Sequence, residues 1–120
     1  MEAASHPEEV IRIGDLEIRP EGGLVLAAGR ALTLSVREFG LLVALARSGG
    51  GIVRREDLYG QVWGGPLRAG DRSIDVYVHK LRVKLEDALP DGRYIHTHVG
   101  FGYRFAPEPS HAFHIPATGP

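Results

Sequence analysis

Setting Ile74, Val78, Leu81 and Leu85 at the centre of one helix face puts Arg72, Ser73, Val76, His79, Lys80 and Val83 on the opposite one. The four apolar residues recur at steps of four, three and four, the stripe of a helix packed on a core. The other face mixes hydrogen-bond donors with two β-branched apolar side chains. That mixture matches what base pairs show in a DNA major groove: Lys80 can donate to guanine O6 and N7, Val76 can meet a thymine methyl, and Arg72 can reach a phosphate or a base edge. Arg82 and Lys84 fall on the flanks, where phosphates pass. Periodicity leaves an alternative open, a solvated helix face with two stray valines.

Charge bears on the choice. The 120 residues carry 14 basic and 15 acidic side chains, a net charge of −1, which by itself argues against a nucleic-acid binder. The average hides an asymmetry: residues 1 to 53 hold five arginines against seven acids, whereas residues 68 to 84 hold Arg68, Arg72, Lys80, Arg82 and Lys84 against only Asp71 and Asp75. The positive charge is local to the candidate helix. With 43% apolar and 24% charged residues the chain has the composition of one globular domain with a short segment at each end. No apolar run approaches the ~20 residues of a membrane span, and Met1 to Val10 lacks a signal pattern, so a cytoplasmic protein is expected. The absence of cysteine excludes disulfides, thiol catalysis and Cys-based zinc sites.

The elements that must position the helix follow from local patterns. Val10–Ile13, Leu16–Arg19, Leu24–Leu26 and Ala31–Leu34 read as four short strands whose brief connections allow only antiparallel neighbours. Gly14-Asp15 is a turn pair there, not the phosphoacceptor of a parallel α/β domain, because no helix separates the strands. Ser35-Val36-Arg37-Glu38 is a capping box opening a helix with Val36, Phe39, Leu42, Val43 and Ala46 inward. Ile52-Val53 is at most a small strand. Glu56 to Trp63 forms a second helix with Leu58, Val62 and Trp63 inward and no good capping side chain near Arg54. Asp71 is the expected N-cap of the third helix, which Pro90-Asp91-Gly92 ends. Tyr94–His98 and Tyr103–Phe105, joined through Gly100-Phe101-Gly102, make a β-hairpin. The domain is expected over residues 10–106, with flexible segments at 1–9 and in the Pro-rich 107–120.

Three helices with a basic third one and a glycine-tipped hairpin make an α+β winged helix-turn-helix: the third helix lies in the groove and the hairpin wing on the flanking backbone or minor groove. At this point the sequence resembles the OmpR/PhoB family of winged-helix effector domains. The likeness runs from about Ile11 to Phe105. It is carried by Leu34-Ser35-Val36-Arg37-Glu38-Phe39, by Arg55-Glu56-Asp57-Leu58 through Val62-Trp63-Gly64, by Arg72-Ser73-Ile74-Asp75-Val76-Tyr77-Val78 through Leu81-Arg82, and by Gly100-Phe101-Gly102-Tyr103-Arg104-Phe105.

The resemblance implies a sequence-specific transcriptional regulator of double-stranded DNA, without catalytic activity or cofactor. Its base-reading positions fall on Val76 and Lys80, with Asp75 and His79 beside them. Phosphate contacts fall on Arg72, Tyr77, Arg82 and Trp63, joined by Ser73 and Lys84 along the helix, and Thr97 falls near a wing backbone contact. His98, Val99, Phe101 and Arg104 complete the wing. The segment Gly64 to Gly70 matches the loop through which some members touch RNA polymerase. Members bind direct-repeat half-sites as head-to-tail dimers, usually driven by phosphorylation of a receiver domain in a two-component system. No receiver fits beside this domain in 120 residues, so either an effector domain or a stand-alone regulator is expected, monomeric when free. Two departures stand out. Val99 occupies a position where many members carry an arginine for the minor groove, and Lys80 one where arginine is frequent; a lysine lacks the planar two-pronged fork.

Other chemistry is poorly supported. His96 and His98 share a strand face but lack a third ligand, and His111 and His114 lie near the C-terminus, so no metal site is expected. No Gly-rich phosphate loop, Ser-His-Asp set or paired acids point to an enzyme. The remaining rival is a winged helix that docks a protein partner in place of DNA, a reading favoured by the net acidity and the missing wing arginine.

Overall fold

The computed structural model describes residues 8–109, so the first seven residues and residues 110–120, with His111, His114 and most of the expected tail, lie outside the described part. Four strands come first: β1 (Ile11–Ile13), β2 (Leu16–Arg19), β3 (Leu24–Ala27) and β4 (Arg30–Ala31) form an antiparallel meander in that order. Side chains alternate across it, and Leu16, Ile18, Val25 and Ala27 point into the core. The fourth strand is shorter than its sequence suggests; the Leu32 N–H still donates to the Val25 carbonyl at 2.9 Å, and Thr33 and Leu34 then lead into the first helix outside the strand.

Helix α1 (Val36–Ala46) opens with the capping box. Ser35 Oγ accepts from the Glu38 N–H at 3.2 Å, and Glu38 Oε1 accepts from the Ser35 N–H at 2.8 Å. Its buried stripe is Leu41, Leu42 and Leu45, so Val36, expected inward, is fully exposed. The reason is azimuthal: Leu45 lies nine residues, hence about 180°, from Val36. Strand β5 (Ile52–Val53) leads to α2 (Arg55–Val62), which lacks a side-chain cap as expected and buries Leu58. Helix α3 (Ser73–Ala88) buries Ile74, Val78, Leu81 and Leu85, and each such side chain contributes roughly 1.5–3 kcal/mol of burial free energy. Asp71 does not hold the capping position itself, which falls on Arg72. Its carboxylate nonetheless accepts from the Ser73 N–H at 2.8 Å and from the Ser73 hydroxyl at 2.6 Å, satisfying one free donor of the first turn.

Strands β6 (Gly92–His98) and β7 (Gly102–Pro109) form the hairpin, but β5 pairs with the outer side of β7, giving a three-stranded sheet in the order β5-β7-β6. Strand β7 runs to Pro109, three residues into the stretch read as tail. Tyr94 fastens this sheet to the first one, its hydroxyl accepting from the Asp15 N–H at 2.9 Å. One core joins both sheets and all three helices, so α3 and the hairpin hold fixed positions relative to each other.

Candidate nucleic-acid interface

The apolar stripe of α3 turns its other face outward. Val76 is 47% and Val83 51% exposed, and His79 and Lys80 stand exposed with them. A single apolar side chain half in water is ordinary on a protein surface; what marks this face is the combination, two such valines lying one on each side of a cation within a strip of donors. The Lys80 ammonium sits 4.9 Å from the centre of the Tyr77 ring. That contact holds the long side chain along the helix and limits its conformers. Half-buried Tyr77 in turn meets Trp63 edge-on at 5.5 Å. Trp63 stacks on Tyr59 at 5.3 Å and receives the Arg37 guanidinium at 5.0 Å, while Arg37 also donates to the Val62 carbonyl. Trp63 and Tyr77, expected as phosphate contacts, thus belong to an aromatic row, Tyr59–Trp63–Tyr77, with Arg37 over its middle ring and Lys80 at its Tyr77 end. The Gly64–Gly70 loop leaves this row exposed except at Leu67.

Asp75, expected beside the base readers, is engaged within the fold. Its carboxylate accepts from Arg55 Nε at 3.2 Å, from Arg55 Nη2 at 2.9 Å and from the Tyr103 hydroxyl at 2.6 Å, and Arg72 Nε approaches to 3.4 Å. Three hydrogen bonds and the Arg72 ion pair take up most of the carboxylate's roughly four acceptor positions. Asp75 therefore joins α2, α3 and β7, with little acceptor capacity left for a base. Burial works against its charge, but the hydrogen bonds from Tyr103 and Arg55 outweigh it and hold the carboxyl below its ordinary range. The same burial and the bond to Asp75 push the Tyr103 phenol up to about 12. Neither Arg55 nor Tyr103 was assigned a role from sequence, since they stand 20 and 28 residues from Asp75 and no local pattern links them.

Lys84, expected at a phosphate, is likewise engaged within the fold. It donates to Glu38 Oε1 at 2.7 Å and to the Thr33 carbonyl at 3.2 Å, which directs its charge into α1 and away from a passing phosphate. Glu38 is 4% exposed; desolvation opposes its charge, and the bonds from Lys84 and Ser35 more than offset that, keeping the carboxyl below its ordinary 4.5. Arg82 bridges to the hairpin, donating to Thr97 Oγ1 at 2.8 Å and to the Ile95 carbonyl at 3.3 Å. Arg72 extends into solvent with Asp75 as its neighbour, while the Ser73 hydroxyl is engaged by Asp71.

In the wing, Arg104 Nε donates to His98 Nε2 at 3.2 Å and Arg104 Nη2 to Glu108 at 2.9 Å, so these two wing residues are tied to each other and to the strand. His96 Nε2 contacts the Ala106 carbonyl at 2.8 Å. Among the described residues no three His, Cys, Asp or Glu side chains gather as a metal site would need. The turn itself exposes Val99 and Phe101. A groove of ≈ 520 Å³ separates the wing from the start of α3, walled by Arg54, Arg55, Glu56, Arg72 and Asp75 on one side and Thr97 to Tyr103 on the other.

A family model described as "Transcriptional regulatory protein, C terminal" matches residues 29–105. The chain is 38% identical over 101 residues to the DNA-binding response regulator MtrA of Mycolicibacterium smegmatis, covering 84% of this chain and 44% of that protein. It is 36% identical over 99 residues to the transcriptional regulatory protein CreB of Escherichia coli, covering 82% and 43%. The chain thus spans less than half the length of these curated relatives. Among solved structures, the Klebsiella pneumoniae RstA DNA-binding domain in complex with the RstA box superposes with a TM-score of 0.75 at 35% identity, over 83% of this chain and 99% of that one. The DNA-binding domain of CpxR from Escherichia coli gives 0.75 at 32% identity, over 82% and 96%. The family match takes in α1, α2, the whole of α3 and the hairpin as far as Phe105, the elements that form the interface just described. This chain belongs to the OmpR/PhoB-type family of transcriptional regulatory protein C-terminal domains.

Proposed function

We propose that this chain is the sequence-specific DNA-binding part of a transcriptional regulator, with α3 in the major groove of double-stranded DNA and the β6–β7 wing on the flanking backbone or minor groove. The carrying observation is the outward strip of α3, where Val76, His79, Lys80 and Val83 combine donors with exposed apolar groups. Lys80 and Val76 are the base readers, with His79 beside them. Arg72, Arg82 and Thr97 supply phosphate contacts from the start and flank of the helix and from the wing. Trp63 and Tyr77 border the same strip. The likeness to RstA, a DNA-binding domain solved with its box, supports this placement. The salt dependence of binding separates this function from a protein-docking winged helix, whose affinity would not follow counterion release.

The family likeness extends the reading to a response-regulator effector in a phosphorelay, acting in the cytoplasm where the DNA lies. It is monomeric when free, and two copies sit head to tail on adjacent half-sites. The exposed Gly64–Gly70 loop is the surface offered to RNA polymerase. Among the described residues no helix is long and apolar enough to cross a membrane.

The decisive experiment is site selection from random duplexes followed by binding of Lys80→Ala to the selected site and to a singly mismatched one. Loss of about 1 to 3 kcal/mol on the matched site, with relaxed preference at one base pair, is expected. An unchanged ratio between the two sites removes Lys80 from the readers.

A further inference from the structure

The tip of the wing shows two apolar side chains to solvent, Val99 at 89% and Phe101 at 71% exposure, at the end of a hairpin otherwise well packed. The turn that presents them is stiff. The Phe101 N–H donates to the His98 carbonyl at 2.8 Å, and Gly100 takes φ +82°, the left-handed third position of a tight turn. Behind it Gly102 holds φ +150° with the Val53 carbonyl so close that a Cβ there would lie 2.1 Å from its oxygen. Strand β5 therefore backs the base of the tip directly, and the two side chains stand on a braced point.

We propose that Val99 and Phe101 form an apolar wedge that enters the minor groove beside the half-site and partly unstacks one base step, making this wing a reader of DNA deformability. The proposal rests on the DNA-binding function above and assigns the wing its mode of contact. Three observations favour it over another occupant. The groove between tip and α3 is lined by Arg54, Arg55 and Arg72 against Glu56 and Asp75, a net positive balance that favours phosphates beside the wedge, with Arg54 and Arg72 each 3.4 Å from one of those carboxylates yet 71% and 77% exposed. Two side chains are far too small a patch for a protein partner, whose interface takes about 800 Å² per side, but they match the space between adjacent base pairs. The charged side chain nearest the tip is engaged elsewhere, Arg104 bonding both His98 and Glu108, and the Thr97 hydroxyl is held by Arg82. The side chains that the turn itself offers to the bases are hydrocarbon and an aromatic ring.

Wedging costs least at pyrimidine–purine steps, which unstack and kink easily, and most in stiff A-tracts. The test uses the whole chain and a duplex selected from random sequence, with the steps flanking the half-site varied through TA, CA, AA and GC and 2-aminopurine placed beside each. Wild type is expected to bind TA or CA duplexes roughly fivefold or more tightly than AA duplexes, with a rise in 2-aminopurine fluorescence at that step. Phe101→Ser should abolish both effects while keeping the base preference that depends on Lys80, and Phe101→Leu should keep part of each. Both residues are solvent-exposed, so unchanged thermal midpoints are expected and serve as the folding control. Indifference of wild type to the flanking step, or a preference that survives Phe101→Ser, overturns the wedge and leaves the major-groove function standing. Failure to select any duplex overturns both.

Discussion

Lys80 and Lys84 stand one helical turn apart on α3, about 40° apart in azimuth, and they do different work. Lys80 belongs to the outward strip, its ammonium resting over Tyr77 with no carboxylate within ion-pair distance among the described residues. Lys84 belongs to the side that α1 covers, and its charge closes on buried Glu38. Asp75 repeats the contrast one turn toward the N-terminus, held by Arg55 and Tyr103 while its neighbour Val76 faces solvent. Charge on a helix is therefore a poor guide to function until its neighbours are known. The charge best placed to act on a ligand is one that no buried carboxylate holds.

The comparison can be broken most forcefully on the covered side. Leu81 is fully buried between Lys80 and Arg82, so Leu81→Ala should lower unfolding free energy by about 2–5 kcal/mol in a denaturant titration. Val83→Ala, two residues on and half in water, should stay within about 0.5 kcal/mol of wild type. Equal effects would mean that the two faces are not distinguished as their exposure indicates.

The carboxylate network comes next in size. Asp75→Ala leaves the Tyr103 hydroxyl and the Arg55 guanidinium without their acceptor and should cost about 1.5–3 kcal/mol of stability. Base preference on the selected site should remain that of wild type at every position. A relaxed preference at one base pair would restore Asp75 to the readers and dissolve the distinction between the two sides of α3.

The elements set by local pattern were the most legible in the sequence. The stripe Ile74, Val78, Leu81 and Leu85, the capping box at Ser35 and Glu38, and the uncapped start of α2 all follow from residues within a turn of one another. What was missed depends on long-range pairing. Glu38 and Lys84 are 46 residues apart, and Arg55, Asp75 and Tyr103 come from three elements, so no local period could unite them. The pairing of β5 with β7 is likewise non-local, resting on Ile52 opposite Arg104 and Val53 opposite Tyr103. Val36 was misplaced for a different reason: its spacing to Phe39 and Val43 is helical, but Leu41, Leu42 and Leu45 form a stronger stripe on the opposite side, and the larger apolar surface took the core.

The finest test sets two cations of α3 against each other in salt. Arg72 points into solvent beside the groove, and Arg72→Ala should reduce the slope of log K against log[salt] by about one unit while weakening all sequences alike. Lys84→Gln should leave that slope unchanged, because the ammonium it removes is engaged by Glu38 and Thr33 and releases no counterion from DNA. Its effect should appear in stability instead, with a definite pH dependence. The folded-state pKa of Glu38 lies below its ordinary 4.5, so the ionised carboxylate contributes stability above that value, and the contribution is lost as pH falls through the depressed one. Removing Lys84 raises the folded value, so the difference between wild type and variant should be largest at neutral pH and should close below about pH 4.5. A lower salt slope in Lys84→Gln would show that the ion pair opens on DNA. Lys84 would then stand with Arg72 among the phosphate contacts.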